Sequence, residues 1–296
     1  MRAPALPSLA AALGHSPRTR LVILQQCDVG ISAGANAAFL ELSRCGGITG
    51  GAAMVPCPWF PQIATAARER ELDLGIRLTL TSECPDYRWG PVSPEGHALA
   101  DRHGYLPRTV QELRDRLDCV AAEAELRAQI DRAVAMGVRP THLDTHLDVC
   151  LIPELRDLYV RLGADYRLPV ILPRAYEDRA GALPQGLRPL RDDAAYAALL
   201  HHVGQPQIDQ VRKLSDYPDI AIANSYRSLI VSLIPGVTLV PLCCSTQADS
   251  EMTAFPGAAA RTDGYRLLRS ALAQRWLAEA SIIPIGMRVV KNFLYP

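Results

Sequence analysis

The chain has 296 residues, with 31 Lys+Arg balanced by 31 Asp+Glu, 49% apolar residues and eight cysteines. Zero net charge excludes the basic excess of a dedicated nucleic-acid binder, and a half-apolar chain with 21% charged residues is not disordered. Apolar runs such as Ile220–Ala223 and Leu229–Val231 are far too short to span a bilayer, and the length suits one large α/β domain or two small ones.

The first 19 residues hold an Ala/Leu stretch broken by Pro4 and Pro7. No clean cleavage site follows it, so it reads as an extension before the first strand rather than a secretory leader. Arg20–Gln25 is a short apolar run, as expected of a strand buried on both faces. Gly30–Arg44 reads as a helix, with Ala35, Ala38, Phe39 and Leu42 at helical spacing and Gly46-Gly47 ending it. Gly51–Val55 is a second strand, Pro61–Arg70 a helix, and Asp73–Thr81 a third strand. Val110–Met136 is the longest helical pattern, closed by Gly137 and Pro140. Thr141–Val149 reads as a strand, Pro153–Leu162 as a helix, Leu168–Leu172 as a strand and Asp192–His202 as a helix. Ile220–Asn224 and Thr238–Leu242 are further expected strands, followed by a helix over Arg261–Ala280 and a last strand at Ile282–Ile285. Strands alternating with helices imply right-handed crossovers and a mainly parallel sheet. About seven or eight such units favour a distorted (β/α) barrel over residues 20–296, with chemistry where strands end and βα loops begin.

The strongest local signal is the run Thr141-His142-Leu143-Asp144-Thr145-His146-Leu147-Asp148. On a strand, His142, Asp144, His146 and Asp148 all project to one face. Buried there, they need partners or a cation, and two imidazoles with two carboxylates suit Zn²⁺ or a similar divalent ion. A solvated strand end or a buried His–Asp hydrogen-bond network fits the spacing as well. The second signal is Cys27-Asp28-Val29-Gly30, directly after the first strand. Asp28 stands where a barrel enzyme places a ligand or base, or where a carboxylate caps the next helix. The eight cysteines show no C-x-x-C spacing, so reduced thiols in a cytoplasmic protein are the default. No Gly-rich phosphate loop, G-x-S-x-G elbow or dinucleotide fingerprint is present.

Several segments, in order, resemble the YdjC-like carbohydrate deacetylases (the ChbG/HpnK family). They are QQCDVG at 25–30, GGITGGAAMVPCPWFPQ at 46–62, LDLGIRLTLTSECPDYRWGPVSP at 72–94, AELRAQIDRAVAMGVRPTHLDTH at 124–146, YRLPVILPR at 166–174 and PGVTLVPL at 235–242. The resemblance implies a polysaccharide-deacetylase-like barrel binding one divalent metal, Zn or Mg. It implies removal of the N-acetyl group from an amino sugar or chitooligosaccharide, a small carbohydrate ligand, and often a homodimer. In the family pattern the first strand ends in Asp-Asp, general base then metal ligand. A His in G-x-H-L-T-L-T and a His in T-H-x-D-S-H complete the metal site, and a His after the late strand is the general acid. Metal-assisted attack of water on the amide carbonyl follows.

Part of that pattern is present. Asp28 and His146 match metal ligands, with His142 and Asp144 beside them and Thr145 in place of Ser. Cys27 stands at the base position, Arg77 at the ligand His, and Cys244 at the late acid. Guanidinium has no free lone pair and stays protonated, so Arg77 cannot ligate a metal. Between Asp28 and Asp144 it would satisfy both carboxylates and displace the cation. Cys27 is a poor base for water but, as a thiolate beside Arg77, a nucleophile. Cys84, Cys150 and Cys243 also follow predicted strands. They and Cys27 and Cys244 read equally as small buried fillers. Tyr87, Arg88 and Trp89 suit a sugar-stacking wall or plain loop packing. Arg174 suits a substrate hydroxyl, a contact with Asp144, or a structural salt bridge. Three readings follow: a deacetylase with a rearranged site, a non-catalytic homologue that binds a sugar-like ligand or a protein partner, and an enzyme of another class using Cys27 or Cys244 with His146.

Overall fold

The computed structural model describes residues 8–177, 194–203, 207–214, 221–246, 250–253, 255 and 257–296. Among the described residues eight strands form one parallel sheet: β1 (Arg20–Val29), β2 (Gly50–Ala53), β3 (Leu74–Leu78), β4 (Leu143–Thr145), β5 (Ala175–Glu177), β6 (Gln210–Arg212), β7 (Gly236–Leu242) and β8 (Ile282–Pro284). Their order is β4-β3-β2-β1-β7-β6-β5, with β8 paired to the start of β1. The sheet curls, and residues 169–174 bridge its two edges. The Leu143 N–H donates to the Pro169 carbonyl, the Ile171 N–H to the Leu143 carbonyl, and the Arg174 N–H to the Ile208 carbonyl. The result is the distorted (β/α) barrel that the strand–helix alternation predicts.

Alternation along the strands separates two cores. Leu21 and Ile23 of β1 and Val237 and Leu239 of β7 point inward, where they meet Ile171, Ile208 and Val211. Leu9, Ala10, Met287 and Val290 seal that interior from one end, so Leu9 and Ala10 ahead of β1 are packed into it. Val22, Leu24, Val240 and Leu242 point outward into the larger core under the helices. Among the described residues no helix is long and apolar enough to cross a membrane.

Several elements differ from their sequence expectation. The helix over Val110–Met136 is two, Val110–Asp115 and Cys119–Ala135. The Asp118 carboxylate accepts from the N–H groups of Val120 and Ala121, an N-cap that starts a new helix. The helix over Arg261–Ala280 is likewise two, Ala258–Arg269 and Ala271–Glu279, parted at extended Ser270. Leu168–Leu172 makes only a single bridge to β4, between Val170 and Leu143. The described part of Ile220–Asn224 opens a helix, Ile222–Val231, not a strand; an apolar run this short carries no period of its own. Of the expected helix at Asp192–His202, the part before Ala194 lies outside the described residues.

Candidate active site

The site gathers at the end of the barrel where β1, β3, β4 and β7 finish. Gln25 and Cys27 follow Leu21 and Ile23 on the inward face of β1. The pairing with β2 runs Gln25↔Gly50, Gln26↔Gly51 and then Val29↔Ala53, so two residues of β1, Cys27 and Asp28, face one of β2. This bulge turns Asp28 inward as well, at a left-handed φ of 58°. A positive φ on a non-glycine residue is strained and persists only where its surroundings hold it. Here the next turn is clamped: the Gly30 N–H donates to Asn36 Oδ1 at 2.7 Å, and Asn36 Nδ2 donates to Gln62 Oε1 at 2.8 Å and to the Trp59 carbonyl at 3.0 Å.

Asp28 is surrounded by donors. Arg77 Nε lies 3.3 Å from its Oδ1, Arg261 Nη1 lies 3.3 Å from its Oδ2, and the Cys243 thiol donates to that Oδ2 at 3.4 Å. Burial opposes the charge, but the guanidiniums of Arg77 and Arg261 outweigh it and hold the carboxyl at about 2. Arg77 is the register partner of Asp144 on β4. Its Nη1 donates to Asp144 Oδ2, which also accepts from Gln25 Nε2 at 3.1 Å. One guanidinium, its side chain 14% exposed, thus bridges the carboxylates of Asp28 and Asp144, and both keep it charged against the cost of burial.

His146 lies beside this bridge. Its Nδ1 is 3.0 Å from Thr81 Oγ1, its Nε2 is 3.4 Å from Glu83 Oε1, and its ring meets Trp89 edge-on. Burial pushes the Glu83 carboxyl up, but the neighbouring imidazole more than offsets it and holds the group below the usual carboxylate range.

The expected four-residue face is only partly realised. β4 ends at Thr145, and Leu147 and Asp148 take left-handed φ of 47° and 56°. The chain therefore turns where a strand to Val149 was expected, and Asp148 faces Lys213 Nζ at 3.9 Å. His142 does point inward, but one layer below Asp144. It is fully buried against Gly75, where a Cβ would come within 2.5 Å of the imidazole ring, and its Nδ1 is 3.1 Å from Thr141 Oγ1. Burial lowers its pKa.

The thiols divide by strand parity. Cys27 is buried and inward, its thiol donating to the Gln25 carbonyl at 3.9 Å. The neighbouring Cys243 and burial push the Cys27 thiol well above its ordinary range, although Arg77 pulls the other way. The thiolate expected beside Arg77 is disfavoured. Cys244 points outward into the larger core, so its thiol does not face the site; Cys243, one residue earlier, does. Cys150 lies in the same outer core and Cys84 in a small apolar cluster around Trp89. Neither Cys27 nor Cys244 is among the hydrogen-bond partners of His146.

Trp89 is buried, its Nε1 donating to the Thr81 carbonyl at 2.9 Å, and it backs His146 rather than presenting a face. Tyr87 is half-buried, donates to the Ile31 carbonyl at 2.6 Å and meets Trp89 and Phe255 edge-on. Arg88 pairs with Asp101 at 2.7 Å. Arg174 is exposed and outside the cavity that opens beside Arg77 and Asp144. Glu83 and Arg261 were not singled out by sequence reasoning. Glu83 lies inside the family-like segment 72–94, whereas nothing at Arg261 marks a helix whose first turn reaches across to Asp28.

The metal implied by the resemblance does not fit this donor set. Asp28 and Asp144 hold a guanidinium, which has no lone pair to offer a cation, and the Nε2 of His146 faces Glu83. Among the described residues no group of three or more His, Cys, Asp or Glu is arranged to hold a metal ion.

A curled parallel barrel with carboxylates and an imidazole gathered at its strand ends places them where (β/α)-barrel proteins carry their sites. A profile of YdjC-like proteins matches residues 21–279, and the chain belongs to that family. It is 33% identical over 278 residues to a carbohydrate deacetylase of Thermus thermophilus, a match covering 93% of this chain and 96% of the relative. A carbohydrate deacetylase of Brevibacillus brevis is 33% identical over 153 residues, covering 51% of this chain and 59% of that one. In fold, the chain is similar to a crystal structure from Enterococcus faecalis described as a cellobiose-phosphate cleavage protein. The TM-score is 0.75 at 19% identity, over 92% of this chain and 99% of that one.

Proposed function

We propose that this chain is a cytoplasmic, sugar-recognising member of the carbohydrate deacetylase family in which Arg77 stands in for the metal, so that metal-assisted deacetylation is suppressed. The ligand is an N-acetylated amino sugar or a short oligomer of one. The observation that carries the reading is the Arg77 bridge between Asp28 and Asp144. A guanidinium keeps the positive charge of a cation at that point, but it offers no open coordination position for water. With Cys27 at the base position, neither activation of water nor polarisation by a metal is available. The cavity beside the bridge has polar groups from Gln25, Thr145, Asp148 and Lys213 over an apolar floor of Ile171 and Leu239, a mixture that suits a neutral sugar. Eight free thiols support a reducing compartment.

The 33% identity over nearly the whole length of a Thermus carbohydrate deacetylase favours a second reading, an active deacetylase. One experiment separates them. Zinc content is measured on the purified protein, binding of chitooligosaccharides by calorimetry, and acetate release with and without added zinc. Sugar binding without zinc or acetate release is expected. One zinc per chain with zinc-dependent acetate release would overturn the first reading and establish the second. The double variant C27D/R77H, which restores the family's base and ligand residues but not its late acid, is expected to gain zinc and part of the turnover.

A further inference from the structure

Two of the site's thiols stand side by side on neighbouring parallel strands. The β1–β7 register runs without a break to Gln26↔Leu242, and Cys27 and Cys243 are the residues that follow on each chain segment. Adjacent strands lie about 4.8 Å apart, within the roughly 4.4–6.8 Å of Cα separation that a disulfide accepts. Both side chains point inward: the Cys243 thiol donates at 3.4 Å to Asp28, the residue next to Cys27. Their accessibility differs sharply: Cys243 is exposed and Cys27 is 2% exposed. An exposed thiol resting on a buried one is the arrangement of an attacking and a resolving cysteine.

We propose that Cys27 and Cys243 form a redox-active dithiol that closes to a disulfide by exchange with a small-molecule disulfide of the glutathione type. The Cys243 sulfur, as thiolate, attacks one sulfur of the small disulfide, forming a mixed disulfide and releasing one small thiol. The Cys27 sulfur then attacks Cys243 Sγ, forming the Cys27–Cys243 bond and releasing the second small thiol. Both protein thiol protons end on the released thiols, the protein loses two electrons and the small disulfide gains them. Closure also removes the S–H that Cys243 donates to Asp28, so the ion-pair cluster registers the redox state.

The test treats the reduced full-length protein with oxidised glutathione, alkylates it under denaturing conditions and maps the peptides by mass. A Cys27–Cys243 linked peptide, lighter by two hydrogens and restored by dithiothreitol, is expected. Cys119, the exposed thiol at the start of its helix, reports simple glutathione addition in the same sample. In the C244S variant, which removes the neighbouring thiol of the outer core, the link is expected to persist. The C27S variant is expected to stop at the mixed disulfide on Cys243. A stable glutathione adduct on Cys243 with Cys27 still alkylated in the unmodified chain overturns the proposal. So does a link that disappears in C244S, and so does full alkylation of both sulfurs at every oxidant concentration that modifies Cys119.

Discussion

Replacing Arg77 with methionine keeps most of the side chain's bulk and removes its charge. In the folded chain this leaves Asp28 with Arg261 and the Cys243 thiol, and Asp144 with Gln25. Asp28 is held at about 2 against 3.8 for a free carboxyl, a contribution of about 2 kcal/mol at neutral pH shared among Arg77, Arg261, His146 and Cys243. Breaking a buried ion pair from one side typically costs about 3–5 kcal/mol, because the remaining charge has no compensation. Arg77→Met is therefore expected to lose about 3 kcal/mol at pH 7 in urea unfolding. The pH dependence gives the sharper test. In the wild type the folded carboxyl is depressed, so its contribution is complete above the unfolded value of 3.8 and fades as pH falls through 2. Without Arg77, burial of Asp28 is opposed less, so its carboxyl takes up its proton at higher pH in the folded variant than in the folded wild type. The deficit of the variant should then shrink as pH falls through the carboxylate range towards 2. A variant as stable as the wild type across this range would refute the bridge, and with it the case against a metal.

Other expectations follow from single contacts. Changing His146 to Gln should raise the Glu83 pKa, measured by carboxyl carbon NMR, because the imidazole is what offsets burial there. Adding a methyl group at Gly75 would push a Cβ to within 2.5 Å of the buried His142 ring. Gly75→Ala should cost about 1–3 kcal/mol by overpacking, and His142→Ala in the same chain should recover most of it; no recovery would place the strain in the backbone. Asp118→Ala removes the cap that separates the two helices after residue 110 and should cost about 1 kcal/mol, read as a lower thermal midpoint. If that variant instead gains stability, the break between the helices is imposed by packing and not by the cap.

The barrel was legible because apolar strands and amphipathic helices alternate with different periods, as in Arg20–Gln25 and Gly30–Arg44. The pairing of Arg77 with both Asp28 and Asp144 was legible too, since a guanidinium at a ligand position has few other ways to be buried. What failed was local. Thr141–Val149 alternates perfectly, but the alternation does not show where the chain turns, and left-handed Leu147 and Asp148 take Asp148 out of the shared face. The resemblance points to Cys244, whereas Cys243 is the one that faces Asp28, because one residue along a strand reverses the side chain. The inward positions of β7, Val237 and Leu239, project onto Cys243, so parity counted along that strand would have found it. Arg261 had no such signal, because its contact with Asp28 depends on how a helix more than two hundred residues away packs beside β1.

The sealed end of the barrel has a practical side. The short helix holding Leu9 and Ala10 and the helix holding Met287 and Val290 meet in one cluster, and β8 lies against the start of β1. From Leu21 to Asp28 the first strand runs about 23 Å at roughly 3.3 Å per residue, so this meeting point is at the far pole from the ion-pair bridge. A circular permutant that joins these two helices by a short linker, with new termini opened between Asp115 and Cys119, should keep the pocket intact. Fusion partners or surface anchors attached at that pole should likewise leave the mouth free for ligand.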